Sequence, residues 1–160
     1  MVNLVRKFLP VLMGAVFISA SVQVTACTIS EDMLDSVPLN STEIPNIDRL
    51  KIADMVYNAK QWPGVEIRGI ISVGGYIKER DPIRLAEIRG AKIRDYLVQL
   101  GVKSEYIFID RRTISVPYPV DSSGISGLLQ IGVTLVPLCE GGCERLCNDS
   151  RVTPTSRAIK

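Results

Sequence analysis

The sequence has no histidine. The side chain best suited to general acid–base chemistry at neutral pH, and to metal ligation, is therefore missing. It also has no Gly-x-Ser-x-Gly nucleophile elbow, no phosphate-cradling glycine-rich loop and no thiol paired with a base. Nothing in it calls for a cofactor, a metal or a catalytic residue. Glu79, Asp81 and Glu87 stand close together, but carboxylates clustered at a helix start serve the helix dipole more readily than catalysis. There is no surplus of positive charge to argue for nucleic acid. The formal charge is +2, and Arg6 with Lys7 accounts for it, so residues 27–160 balance. Finally, no apolar run reaches the roughly 20 residues that a membrane-spanning helix needs.

What is present begins with an export signal. Residues 1–7 carry Arg6 and Lys7 and no acid, residues 8–20 are almost wholly apolar, and Ser21 to Ala26 are small or polar. This order is that of a signal peptide over residues 1–26. Val24-Thr25-Ala26-Cys27 also fits a lipobox, in which the cysteine sulfur takes a diacylglycerol and the new amine an acyl chain such as palmitate. More than one chain gives stable anchoring. Lipidation of Cys27 predicts an outer-membrane lipoprotein facing the periplasm, since Thr28, not aspartate, follows the cysteine. Ordinary secretory cleavage after Ala26 is the alternative. It leaves a soluble periplasmic protein with Cys27 as a free or disulfide-bonded first residue.

Cys139, Cys143 and Cys147 lie in the run CEGGCERLC. Export brings them to an oxidising compartment, where disulfides are expected. Gly141-Gly142 supplies the turn that a short local bridge needs. With Cys27 lipidated one thiol is left over; with Cys27 available, four cysteines allow three pairings.

The remaining elements follow from periodicity and punctuation. Residues 27–45 are polar and interrupted by Pro38 and Pro45, and read as a lipidated start and a tether. A helix is predicted over 47–61, capped by Asn46, with Ile52, Met55, Val56 and Ala59 at helical spacing and Pro63-Gly64 as its stop. A strand is expected over 65–73, ended by Gly74-Gly75. Pro82 opens a second helix reaching Leu100, with Leu85, Ile88, Ile93, Tyr96, Leu97 and Leu100 as its stripe and Gly101 as its stop. Further strands are expected over 106–109 and 128–138, separated by a turn-rich loop, and a frayed tail over 148–160. A strand–helix–strand unit makes a right-handed crossover. The prediction is an α/β domain over residues 46–138: a two-layer α/β sandwich with a small mixed sheet under two helices, followed by a cysteine-containing tail over 139–160.

The run from Leu85 to Val102, LAEIRGAKIRDYLVQLGV, resembles the OmpA-like (OmpA C-terminal, peptidoglycan-associated) domain. That family shows Leu-Ser, two variable residues, Arg-Ala, an aliphatic residue, Tyr-Leu and Gly-Val. Trp62-Pro63, the strand at Val65 and Ile107 fall in the family's order. The resemblance implies an OmpA-like fold and a site for the peptidoglycan stem peptide, in which an arginine fork grips a diaminopimelate carboxylate. Arg89 stands at the arginine's position. The family's Gly-His-Thr-Asp motif is replaced by Val73-Gly74-Gly75-Tyr76, its aspartate falls on Gly74, and its asparagine falls on Pro82. Asp81 and Glu79 are the carboxylates left to complete a ligand site with Arg89. Two functions follow: a non-enzymatic envelope lipoprotein associating with peptidoglycan, or a periplasmic protein-binding module that keeps the fold as a scaffold, as a secretion-system component or a toxin-neutralising protein would.

Overall fold

The computed structural model describes residues 27–117 and 127–157. The predicted signal peptide and the tip of the loop after residue 117 lie outside them. The described elements are β1 (Cys27–Thr28), β2 (Glu31–Asp35), α1 (Asn46–Ala59), β3 (Glu66–Tyr76), α2 (Pro82–Gln99), a 3-10 turn (Ser104–Tyr106), β4 (Ile107–Ile114), β5 (Ile131–Leu138), α3 (Glu144–Cys147) and β6 (Ser156–Arg157).

The architecture is the predicted mixed α/β sandwich. β3, α2 and β4 form the crossover unit, with β3 and β4 parallel and Ile71 opposite Ile109. β5 returns antiparallel on the other side of β3, placing Val133 against Ile71. The four-stranded order is β2-β5-β3-β4. The core is aliphatic: Ile71 and Val73 from β3, Ile131, Val133 and Leu135 from β5, Ile52 and Val56 from α1, and Ile93 and Leu97 from α2.

Several boundaries differ from the sequence reading, each for a local reason. The segment read as a tether supplies two strands, because Glu31–Asp35 pairs antiparallel with Ile131–Leu135 at the sheet edge. Backbone bonding there needs no apolar alternation, and EDMLD shows little. β3 does not end at Gly74-Gly75. It runs to Tyr76 beneath the start of α2, where a Cβ on Gly75 would stand 1.8 Å from the Pro82 carbonyl oxygen. The glycine thus permits a close crossing and is not a turn. β4 continues past Asp110 to Ile114, since Arg112 pairs opposite Gly74. Asn46 is inside α1, whose N-cap is Pro45 with no side-chain bond. The tail is not wholly frayed: α3 and Val152 pack into the core, and Ser156–Arg157 pairs with Cys27–Thr28.

All four cysteines are paired. The local bridge is Cys139–Cys143, around Gly141 and Gly142, both with positive φ. The long bridge is Cys27–Cys147, across 120 residues. This bridge and the lipidation expected of Cys27 are alternatives. A sulfur bonded to the Cys147 sulfur has no valence left for the thioether of a lipid anchor.

Candidate functional site

Two of the residues that the sequence singles out, Arg89 and Glu79, meet at the C-terminal end of β3. On α2 the buried positions are Ala86, Arg89, Gly90, Ile93 and Leu97. This face is turned from the predicted stripe, and it puts Arg89 at the centre of the side packed on the sheet. Gly90 makes the approach close: a Cβ there would lie 2.9 Å from Ile109. Arg89 therefore enters the interior, where it is fully buried.

A buried guanidinium must have its donors satisfied and its charge paired. Arg89 meets both conditions within its own chain. Its Nη2 donates to Glu79 Oε1 at 2.5 Å and its Nη1 to Glu79 Oε2 at 3.0 Å, a two-pronged pair with both side chains buried. Nη1 also donates to the Gly74 carbonyl at 2.9 Å, and Nε donates to the Ser41 carbonyl at 2.9 Å. The position of the family aspartate thus contributes a main-chain oxygen. The Glu79 carboxylate is completed by two backbone donors, Tyr76 N–H and Asn40 N–H, each at 2.8 Å. Burial pushes the Glu79 carboxyl up, but the Arg89 bonds and those two N–H groups outweigh it and hold the group below its usual range.

The chain that follows β2 bonds to both members of this pair, through Asn40 N–H to Glu79 and the Ser41 carbonyl to Arg89. Gln130 is fully buried and clasps Val37 from both sides, accepting from its N–H and donating to its carbonyl, each at 3.0 Å. The chain then reaches Asn40, whose φ of 60° is a left-handed conformation that asparagine tolerates. In that conformation its N–H points at Glu79 while its side-chain oxygen accepts from Arg80 N–H at 2.8 Å. Lys92 ties the strap further along, to Glu43 and Thr42.

Asp81 is not part of this cluster. It is exposed and caps α2, accepting from Arg84 N–H at 3.1 Å. Of the three residues predicted to bind ligand, the structure thus joins Arg89 and Glu79 to each other and leaves Asp81 at the helix end. Asn40, Ser41 and Gln130 are the participants that sequence reading passes over. The one signal for them is indirect: an arginine on the sheet-facing side of a helix requires acceptors from somewhere. A groove of about 300 Å³ does lie between α1 and α2, with Ile44, Ile52, Ile93 and Tyr96 in its walls and Arg49 stacked 4.7 Å over the Tyr96 ring. Arg89 does not line it.

No family model matches the chain, and no curated protein matches it in sequence. Solved structures do. The OmpA-like domain of FopA1 from Francisella tularensis subsp. tularensis SCHU S4 matches over 71% of this chain and 75% of its own, at 19% identity and a TM-score of 0.47. The peptidoglycan-associated lipoprotein from Burkholderia pseudomallei matches over 68% and 90%, at 14% identity and a TM-score of 0.47. The C-terminal domain of Helicobacter pylori MotB matches over 68% and 86%, at 17% identity and a TM-score of 0.47. In fold, the chain is similar to OmpA-like domains.

Proposed function

We propose that this chain is an exported, non-enzymatic envelope protein whose OmpA-like domain serves as a protein-binding module, with the arginine fork kept as an internal pin. One observation carries this reading: the fork of Arg89 is already filled, bidentately, by the chain's own Glu79, and both groups are buried. A stem-peptide carboxylate would need the same two N–H groups, and the strap through Asn40 and Ser41 stands over them. The domain expected over residues 46–138 is extended by β2 at the edge of its sheet and by the disulfide-bonded segment after it. The Cys27–Cys147 bridge supports a soluble periplasmic form.

Peptidoglycan association is the second reading. The seating of Glu79 favours it to this extent: a carboxylate fits the fork, so a ligand that displaced Glu79 would be held. A pull-down on purified sacculi, with and without competing diaminopimelate, separates the two. The module reading expects no diaminopimelate-sensitive binding by the wild type or by Glu79→Gln. Binding that diaminopimelate competes away, strengthened in Glu79→Gln, would establish the wall reading in its place. Intact mass of the mature protein tests the soluble form: two disulfides and no acyl chain are expected. A lipid on Cys27 beside a free Cys147 thiol would overturn it.

A further inference from the structure

β4 lies at one end of the four-stranded sheet and pairs with β3 on one side only. Its residues Ile107–Ile114 keep an unbroken parallel register with Gly69–Tyr76, without a proline or a bulge. The Ile114 carbonyl accepts from Ile77 N–H at 2.9 Å, so the main-chain groups of Ile114 point towards β3. By strand alternation those of Phe108, Asp110 and Arg112 do so too, and those of Ile107, Ile109, Arg111 and Thr113 point outward. No described strand takes up this outer row. A row of this kind is a template for another strand. Ile109 and Arg111 pair opposite Ile71 and Val73, which lie in the core, so both are on the face that carries α2. There the edge and the start of α2 enclose a groove of about 120 Å³, lined by Ile83, Ala86, Arg111, Arg112 and Thr113. Ile83 is 72% exposed. The lining holds two arginines and no acid. Arg112 donates to the Leu129 carbonyl at 3.1 Å, whereas Arg111 is exposed and no described residue pairs with it.

We propose that an extended segment of a partner protein adds to β4 as a further strand, with one acidic side chain directed at Arg111 and apolar ones beside Ile83 and Phe108. Two features select this occupant. Outward N–H and C=O groups at strand spacing are satisfied by a main chain in the extended conformation, which neither a docked helix nor a lipid presents. Charge then selects among strands. Arg111 has no carboxylate of its own chain to hold, and an acid on the incoming strand supplies one. Glu87 stands one turn along α2 from Ile83, and Asp110 stands on the opposite face of β4, both exposed. They disfavour a strand acidic throughout, so the fit is a single acid set among apolar residues. On that opposite face Phe108 is 55% exposed, with the Arg68 guanidinium 5.5 Å from its ring. The inference rests on the protein-binding reading above and names its surface.

Selection of short random peptides displayed on phage, against the exported protein with both disulfides intact, tests it. Enriched peptides should carry β-branched or aromatic residues around one acid. Synthesised with a fluorophore and read by anisotropy, they should bind Arg111→Glu protein roughly tenfold or more weakly than wild type. Thr113→Pro should weaken them as much. It removes an outward N–H that β3 does not use, so the circular dichroism spectrum should be unchanged. Methylating the peptide's own N–H groups one at a time should abolish binding at alternate positions only, as a ladder on one side requires. This last readout needs no variant of the protein. Enriched peptides that bind both variants as tightly as wild type, or that tolerate methylation at every position, would overturn the proposal and leave the protein-binding reading standing. Failure to enrich any peptide, or a wild type already dimeric through β4 at the assay concentration, would also overturn it. The sacculus pull-down decides the wider reading separately.

Discussion

Each of the two long helices takes a charged residue out of water, and they do so in different ways. α2 buries Arg89 against Glu79, with both side chains dry and every contact supplied by main chain or by the partner carboxylate. α1 buries Asp48, but its partners Lys51 and Asp35 stand half in solvent. The carboxyl groups respond in opposite directions. Glu79 is held below its usual range despite burial, because a guanidinium fork and two N–H groups favour its charged form. Asp48 is pushed above its usual range by burial, with the neighbouring Asp35 carboxylate adding to the effect and Lys51 opposing it only in part. A buried acid stays charged where its bonding is complete and leans towards its neutral form where a like charge shares the site.

The largest effect should come from breaking the dry pair. Arg89→Ala leaves Glu79 buried without its cation and is expected to cost about 3–5 kcal/mol in urea unfolding. Removing both charges, as Arg89→Met with Glu79→Leu, should recover most of that loss, because a buried pair owes more to mutual necessity than to net attraction. A double variant as unstable as the single one would show that the bonds to Gly74 and Ser41, not the ion pair, hold the strap. Acid should expose the same pair. The folded value for Glu79 lies below its unfolded value of about 4.5, so its contribution is fully present above that pH and is lost as pH falls through the folded value. Stability of the wild type should drop over that acid window. The Glu79→Gln protein, already weaker at neutral pH, should show a shallower drop.

An intermediate effect, about 1 kcal/mol, is expected at Asp81, the third carboxylate of the region. It caps α2 through Arg84 N–H. Asp81→Ala should lower stability by that amount, and Asp81→Asn or Asp81→Ser should restore it, since both are good caps. If only a carboxylate restores the wild-type value, Asp81 interacts with a charge that the cap geometry does not explain.

How much of this was legible in the sequence depends on what carried the information. The crossover was plain, because Val65 to Val73 and Leu85 to Leu100 have the periods and stops that strands and helices require. β2 was hidden, since an acidic edge strand such as EDMLD pairs through its main chain and has little apolar alternation. The long disulfide could not be read either. Cys27 and Cys147 are brought together by the pairing of β1 with β6 and by the packing of α3. At the site, Arg89 and Glu79 were both singled out, but as halves of a ligand clamp and not as partners. The clue was available in the spacing: Ala86, Gly90, Ile93 and Leu97 make the tightest-packed side of α2, and Arg89 lies within it. Asn40 and Ser41 contribute main-chain atoms to the cluster, and a main-chain donor or acceptor leaves no mark in composition or periodicity.

The smallest effect should be at Asp48, and its sign is what separates the two helices. The folded value for Asp48 lies above its unfolded value. Its contribution to stability is therefore fully present below the unfolded value of about 3.8 and is lost as pH rises through the folded one. At neutral pH the folded protein is thus holding a charge that its surroundings disfavour. Asp48→Asn keeps the shape and removes that charge, while giving up one contact with a half-exposed lysine, a kind of contact worth about 0–1 kcal/mol. The two terms nearly cancel, so stability near pH 7 should change by about 1 kcal/mol or less, in either direction. The acid side is decisive: the wild type should close the gap on, or overtake, the Asp48→Asn protein as pH falls, whereas Glu79→Gln should show the reverse trend against wild type. Unfolding curves of the three proteins across the acid range make the measurement. An Asp48→Asn protein that loses several kcal/mol at neutral pH would mean that the α1 cluster is as dry as the α2 pair, and the contrast between the helices would fail.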